Sequence, residues 1–473
     1  MSSATTSTTT TPAAPSAVDA DSDDVDVVDV VDELEGLLPT YEDVVEASRI
    51  LQGVANVTPI KTSRTLNEQL SQLLLLSSSS RTSQREEEEE SEEEGNNDDG
   101  GQQDLEGGGI QVYLKCENEQ RIGAFKFRGA YNALYHAYHA MMQRQQKDRK
   151  KRKHQAVNND NGDGEGDKDI QDGSSPGDNV GLHVITFSSG NHAQAIALAA
   201  RLFAQQQKNC VCKATIIMPN DAPILKINAT KGYGGNIIFY DRYKEDRNAI
   251  AQQILDNENG GKNESSSSSM SSSTTTTTTT RCVMIPPYND KYVIAGQGTV
   301  GKEFFDEIPN LDYLFVCVGG GGLISGCCLA AAANATLNGS KCKVIGVEPC
   351  NGNDAQLSLQ QNSIYKIEDA STIQTIADGA QTQCLGDITF ALMKRHVHSI
   401  ITVTDDELVS EMKFLGERMK MIVEPTGCLG LAGLRKYIKE EGNTIPKNSK
   451  CGVVISGGNV DLQRYTELLS KTF

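Results

Sequence analysis

Long apolar runs are missing from this sequence of 473 residues. No stretch reaches the ~18 uninterrupted apolar residues a spanning helix needs, so nothing in it reads as a membrane segment. The N-terminus, MSSATTSTTTTPAAPSAVDADSDD, has neither the basic start nor the apolar stretch of a signal peptide. It is also too acidic for a typical organelle transit peptide. Metal-finger spacing is absent: the twelve cysteines are scattered, with no CxxC pair. Several of them (Cys317, Cys327, Cys328) sit inside apolar runs, which predicts buried free thiols in a reducing, cytoplasmic compartment. A basic surplus is lacking as well. The formal net charge is -19; residues 1–39 hold nine acids and no Lys or Arg, and residues 81–106 hold twelve acids against Arg81 and Arg85. Those two stretches account for the whole imbalance. The remainder is electroneutral, which argues against a protein that coats nucleic-acid phosphates.

Hydrophobic residues make up only 38% of the chain. At roughly 100–200 residues per domain there is room for two or three domains, and the low apolar share implies that part of the length is not folded. Residues 1–39 read as a disordered acidic tail. Residues 74–109, 143–180 and 258–280 read as disordered insertions. They contain LLLLSSSS and REEEEESEEEGNNDDGG, then QRQQKDRKKRKH and NNDNGDGEGDKD, then SSSSSMSSSTTTTTTT. Polar homopolymeric runs bury too little apolar area to offset their ordering entropy, and loop-closure cost grows only logarithmically, so a stable fold can carry them. The basic run Arg144 to Lys153 abuts an acidic stretch and reads as part of a solvated loop.

With the insertions set aside, strands and helices alternate. VITFSS (184–189), ATIIMP (214–219), NIIFY (236–240), YLFVCV (313–318), KVIGVEP (343–349) and GVVISGGN (452–459) are strand-like, and NHAQAIALAARLFAQQ (191–206) is helical. Buried runs of Val and Ile spaced by helices predict an α/β fold with parallel twisted sheets covered by helices. Such sheets bind ligands at the carboxyl ends of their strands. Three strands here end in Ser/Gly turns, SSGNH, GGGG and SGGN. Gly319, Gly320, Gly321 and Gly322 let backbone N–H groups approach an anion, and the following helix adds its positive end. This turn itself has neither GK[ST] nor GxGxxG spacing, so a phosphorylated cofactor fits it better than a nucleoside triphosphate or dinucleotide. Lys126, between Phe125 and Phe127, is a candidate nucleophile or base, because desolvation lowers an ammonium's pKa. A reactive lysine and a phosphate cradle together point to pyridoxal 5'-phosphate (PLP).

The motifs KFRGA around Lys126, SSGNHAQA (188–195), AGQGT (295–299), VGGGG (318–322), IADG (376–379), EPTG (424–427) and SGGNVDL (456–462) occur in this order. In them the chain resembles the fold-type II PLP enzymes, and within these the serine racemase and threo-3-hydroxyaspartate ammonia-lyase branch of the serine/threonine dehydratase family. The resemblance implies a two-domain, tryptophan synthase β-like fold. Residues 40–114 and 216–473 would form a large PLP-binding domain, and 115–215 a small domain. It implies racemisation of L-serine together with α,β-elimination from serine or L-threo-3-hydroxyaspartate, with a catabolic L-threonine/L-serine ammonia-lyase as the alternative. An amino-acid substrate and a homodimer follow from the same likeness, while the charge balance and the lack of long apolar runs predict no nucleic-acid or membrane partner.

By resemblance, Lys126 holds the cofactor as a Schiff base and is the base on one face of the substrate Cα, with Ser189 the acid/base on the other. Phe125 packs on the ring, Asn191 bonds its hydroxyl oxygen, and Ser456 faces its nitrogen. Glu348, Gly352 and Asp354 match a divalent-cation site for Mg²⁺, or Ca²⁺ or Mn²⁺. Ser63, Gln194, Tyr233, Lys420 and Asn459 match positions at which animal serine racemases bind ATP, although a Lys-Thr pair of that site is Arg121-Ile122 here. Tyr288 stands where those racemases carry an Asn near the cofactor.

Overall fold

The computed structural model describes residues 35–89, 109–159, 180–207, 210–260, 279–440 and 445–471. From Leu37 onward they belong to one compact unit, Leu37–Phe473. Its strands are β1 (Ile60–Lys61), β2 (Gln111–Cys116), β3 (Val180–Phe187), β4 (Cys210–Pro219), β5 (Asn236–Tyr240), β6 (Thr279–Met284), β7 (Tyr313–Cys317), β8 (Lys343–Pro349), β9 (Ser399–Val403) and β10 (Lys450–Ile455). The helices up to the glycine turn are α1 (Tyr41–Leu51), α2 (Arg64–Glu89), α3 (Lys126–Asn159), α4 (Asn191–Gln206), α5 (Ile224–Gly232), α6 (Arg247–Gly260) and α7 (Lys291–Glu307). After it come α8 (Gly322–Asn338), α9 (Asp354–Gln361), α10 (Asp387–His396), α11 (Asp405–Met419), α12 (Pro425–Lys439) and α13 (Leu462–Ser470).

Two sheets result, in the orders β1-β2-β10-β7-β8-β9 and β5-β4-β3-β6. Among these strands only the β1–β2 pair is antiparallel. Parallel pairing needs helical crossovers, and these cover the faces and force the central strands to be apolar throughout. All five residues of β7 are buried, as are the last five of β10. One core gathers Phe304, Leu314, Phe315 and Val453 around the larger sheet, and a second gathers Phe127, Leu182, Phe203 and Ile216 around the smaller. α4 is rich in Ala and Leu, and its small side chains let it pack closely on β4 and α3.

Three expectations need correction. The division at residue 215 cuts through β4, and it separates β5 and β6 from the strands they pair with. Register bonds carry the smaller sheet on to Met284. Likewise β2, which spans residue 115, pairs with β10 in the larger sheet. The first two insertions do not begin as loops: α2 continues to Glu89 and α3 to Asn159. Leu, Gln, Glu, Lys and Arg are strong helix formers, and a helix nucleated by packing at its start propagates through them. The third insertion is trimmed at both ends, by α6 and β6. The remainders, 90–108, 160–179 and 261–278, lie outside the described residues, as does most of the acidic tail.

Beneath the start of α3 lies a buried charge cluster. Arg128 is 1% exposed. Its Nε and Nη2 donate to the two oxygens of Glu117, each at 2.8 Å, and Nη1 donates to Glu303 Oε1 at 2.6 Å. Lys115, also fully buried, donates to Glu303 Oε2 and to the Thr58 carbonyl, both at 2.7 Å. Two cations face two carboxylates, and the fork geometry of Arg satisfies both acids at once. Removing Arg128 leaves Glu117 buried without its cation, while Glu303 keeps Lys115. Arg128→Ala is therefore expected to destabilise the protein by about 3–5 kcal/mol. Arg49→Ala, which breaks an exposed pair with Glu46, should leave the denaturation midpoint unchanged. Urea denaturation of the two variants checks this.

Candidate active site

The carboxyl ends of four strands open on one cleft of about 1370 Å³. β3 delivers Ser188, Ser189 and Asn191; β7 delivers Cys317 and Gly319 to Gly322; β10 delivers Ser456; and the segment after β6 delivers Pro287 and Tyr288. Phe125 and Lys126 enter from the start of α3. The structure therefore brings together all nine residues expected around the cofactor.

The chain before Lys126 is stitched to the SGGN turn. Ala124 bridges Gly457, and the Phe125 N–H donates to the Ser456 carbonyl at 3.2 Å. The Gly458 N–H donates to the Gly123 carbonyl at 2.9 Å. Asn459 Nδ2 donates both to the Ile122 carbonyl at 2.6 Å and to Asn191 Oδ1 at 2.9 Å. The turn that this zipper holds has positive φ at Ile122 (62°) and Gly123 (72°). It launches α3 so that Lys126 enters the cleft, where its Nζ donates to the Pro287 carbonyl at 2.8 Å. Enclosure there pushes the Lys126 ammonium down to about 8. His192 beside it is buried as well. Burial, then the charge of Lys126, push its pKa down to about 3, so it is a neutral imidazole.

The glycine turn fits a phosphate. Gly321 caps α8 at φ +86°, a left-handed conformation that glycine adopts without penalty. A Cβ on Gly320 would lie 2.3 Å from the Tyr288 ring. The first-turn N–H groups of α8 have no intrahelical partner and carry the positive end of the helix dipole. Ser456, 2% exposed, presents a neutral hydroxyl that donates to the Thr426 carbonyl at 3.5 Å and neighbours the Cys317 thiol.

Glu348 and Asp354 are both fully buried, and among the described residues no cation is paired with either. Burial and, for Glu348, the neighbouring Asp354 charge push both above the usual carboxylate range. Glu348 accepts from the Ala355 and Gln356 N–H groups at 3.1 and 2.8 Å. By strict geometry neither Asp354 oxygen is hydrogen-bonded among the described residues, but the Thr382 hydroxyl lies close enough to temper the rise in its pKa. Gly352 is buried in the loop between the two acids. Among the described residues no group of three or more His, Cys, Asp or Glu side chains is placed to hold a metal, so only a mixed oxygen set is available.

The five expected nucleotide residues do not line the cleft. Lys420 is exposed and donates to the Glu417 carbonyl, Ser63 accepts from the Leu66 N–H, and Tyr233 stacks under Arg201. Gln194 is buried in α4, and its Nε2 has no hydrogen-bond partner among the described residues. Sequence reasoning passed over Lys226, Asp378 and Glu424, which also line the cleft. Asp378 and Glu424 lay within quoted motifs without a role. Lys226 sits in an unremarkable segment, ILKINATKG, and only the pairing of residues 152 and 198 positions apart reveals it.

A doubly covered pair of parallel sheets, a lysine desolvated at their carboxyl ends and a glycine cradle facing it define a PLP enzyme of the α/β class. The family model for pyridoxal-phosphate dependent enzymes matches residues 103–457, and the chain belongs to that family. It is 40% identical over 435 residues to a serine racemase of Schizosaccharomyces pombe, covering 92% of this chain and 98% of that one. It is 41% identical to an L-threo-3-hydroxyaspartate ammonia-lyase of Saccharomyces cerevisiae, covering 92% and 97%. The solved structure of maize serine racemase superposes with a TM-score of 0.62 at 27% identity, covering 91% of this chain and 96% of that one.

If the glycine turn holds the phosphate, Gly320→Ala should fold but bind PLP at least about tenfold more weakly, a loss of about 1.4 kcal/mol. Titration of PLP into the apoenzyme, followed by visible absorbance, measures this. Parental affinity would place the phosphate elsewhere.

Proposed function

We propose that this enzyme racemises L-serine to D-serine and, at the same site, eliminates the β-hydroxyl of serine or L-threo-3-hydroxyaspartate to give the keto acid and ammonia. The observation that carries the reading is the meeting of Lys126, Ser189 and the glycine turn in one cleft. The identities to a serine racemase and a hydroxyaspartate ammonia-lyase support the choice of substrates.

PLP supplies the electron sink for charge released at the substrate Cα. The remaining tasks fall to the chain. The glycine turn and the α8 N-terminus hold the phosphate, and Phe125 packs on the ring. Asn191 donates to the ring oxygen, and Ser456 meets the ring nitrogen with a neutral hydroxyl. Lys126 is the covalent anchor and takes the Cα proton on one face; its lowered basicity brings it near the working pH of a base. Ser189 gives or takes the proton on the other face. Racemisation uses both groups. Elimination uses Lys126 and a proton for the departing hydroxyl, so one site serves both outcomes. A catabolic L-threonine/L-serine ammonia-lyase is the second reading. Tyr288 favours it: its ring packs over the glycine turn at the position where animal racemases carry an Asn.

Glu348, Asp354 and the Gly352 carbonyl would hold Mg²⁺, or Ca²⁺ or Mn²⁺, with water completing the shell. Two buried carboxylates with no paired cation among the described residues, and the absence there of a well-formed hydrogen bond to either Asp354 oxygen, support this assignment. The residues matched to an ATP site give it little support. Both amide hydrogens of Asn459 are engaged, and Arg121-Ile122 replaces a Lys-Thr pair. A cytoplasmic location is supported by twelve free cysteines, and the homodimer by the family likeness.

Ser189→Ala should lose L-to-D racemisation by about 10²–10⁴-fold, the usual worth of a positioned acid/base, while elimination from L-substrates survives. Chiral chromatography and keto-acid formation, read in one tube, check both activities. Racemisation at the parental rate would remove Ser189 from the mechanism. EDTA should lower the melting temperature of the parent and Mg²⁺ restore it, because a cation bound only by the native state stabilises it; Asp354→Ala should abolish that response.

A further inference from the structure

One ion cluster joins the two sheets across the cleft. Lys226, in α5 beside the four-stranded sheet, is 3% exposed. Its ammonium bonds Asp378 and lies 3.4 Å from Glu424 Oε2. Both acids come from the six-stranded side. Glu424 stands at the N-terminal boundary of α12, with its carboxylate turned to Lys226 and Asn191 and not to the helix. Asp378 precedes Gly379, whose carbonyl lies 3.0 Å from where a Cβ on Gly319 would stand, so the loop backs the glycine turn.

The chain of contacts continues past Glu424. Its Oε1 accepts from Asn191 Nδ2 at 2.6 Å. Asn191 Oδ1 accepts from Asn459 Nδ2, which also holds the Ile122 carbonyl. Lys226 is thereby linked through Glu424, Asn191 and Asn459 to the turn that launches Lys126. Asn191 has its carbonyl oxygen and one amide hydrogen committed. One N–H remains on a side chain that lines the cleft. A carboxylate buried beside Asn191 keeps this orientation only while a cation holds it, and Lys226 is the only Lys, Arg or His paired with it among the described residues.

We propose that Lys226 is a positioning residue: it clamps the two sheets together across the cleft and, through Glu424, fixes the Asn191 amide so that its remaining N–H serves the cofactor. The proposal rests on the family's cofactor and on the assignment of Asn191, and not on which amino acid is the substrate.

The test is titration of PLP into apoenzyme of the parent, Lys226→Met, Asn191→Ala and the double variant, with the visible band recorded and no amino acid present. Lys226→Met should weaken PLP binding about tenfold, the worth of one charge-assisted hydrogen bond, and shift the visible band. The double variant should be no weaker than Asn191→Ala alone, because the two act through one contact. Lys226→Arg should restore the parental band. If Lys226→Met fails to fold, Asp378→Asn, at the more exposed end of the clamp, is read in the same way. Parental affinity and band in Lys226→Met, or additive losses in the double variant, would reduce Lys226 to an ordinary ion pair. Loss of racemisation or elimination with cofactor binding unchanged would overturn the clamp and bear on the substrate reading as well.

Discussion

A buried guanidinium organises this enzyme. Arg128 stands two residues after Lys126, almost without solvent, and its donors are shared between Glu117, just past the end of β2, and Glu303 in α7. Unpaired, such a charge would be far too costly to bury. Paired on two sides, it ties the first turn of α3 to the larger sheet and to a helix that packs against α8. The zipper between residues 122–125 and 456–459 then leaves Lys126 one way to point. The string KFRGA is thus one mechanical unit. Its lysine enters the cleft, its arginine holds the lysine's helix in place, and its glycine lets α7 approach, since a Cβ on Gly129 would lie 2.7 Å from the Val293 carbonyl.

Two lysines share the cleft and are driven in opposite directions. Lys126 has no carboxylate partner among the described residues, so enclosure lowers its basicity and suits it to bond formation and proton abstraction. Lys226 is similarly enclosed, but the charges of Asp378 and Glu424 outweigh the burial and raise its pKa. It stays an ammonium and acts as a fixed charge. A shared cavity therefore does not imply a shared role; the neighbouring acids decide it.

The strands ending in SSGNH, GGGG and SGGN were readable in the sequence because buried parallel strands are continuous apolar runs and their ligands gather at carboxyl ends. NIIFY, KVIGVEP and NHAQAIALAARLFAQQ match β5, β8 and α4 residue for residue. Element ends beside the insertions were not readable. Polar runs such as QRQQKDRKKRK carry no amphipathic signal, yet they are good helix formers downstream of a packed helix. The edge of the smaller sheet was missed because strand pairing is non-local. β4, β5 and a Ser/Thr run separate β6 from β3 in the chain, and β6 itself begins inside that run, yet it bonds β3 directly from Val180↔Thr279 to Ile185↔Met284. Lys226 was invisible for the same reason, its partners being distant in sequence and close only in the fold.

Whether Lys126, and not Lys226, is the covalent anchor of the cofactor decides everything built on the cleft. Borohydride reduction of the purified holoenzyme, followed by proteolysis and mass spectrometry, reads this directly, because reduction fixes PLP permanently to the lysine that carries it. The pyridoxyl group is expected on the peptide containing Lys126 and not on the peptide containing Lys226. Label on Lys226, or on neither lysine of the cleft, would contradict the assignment of Lys126.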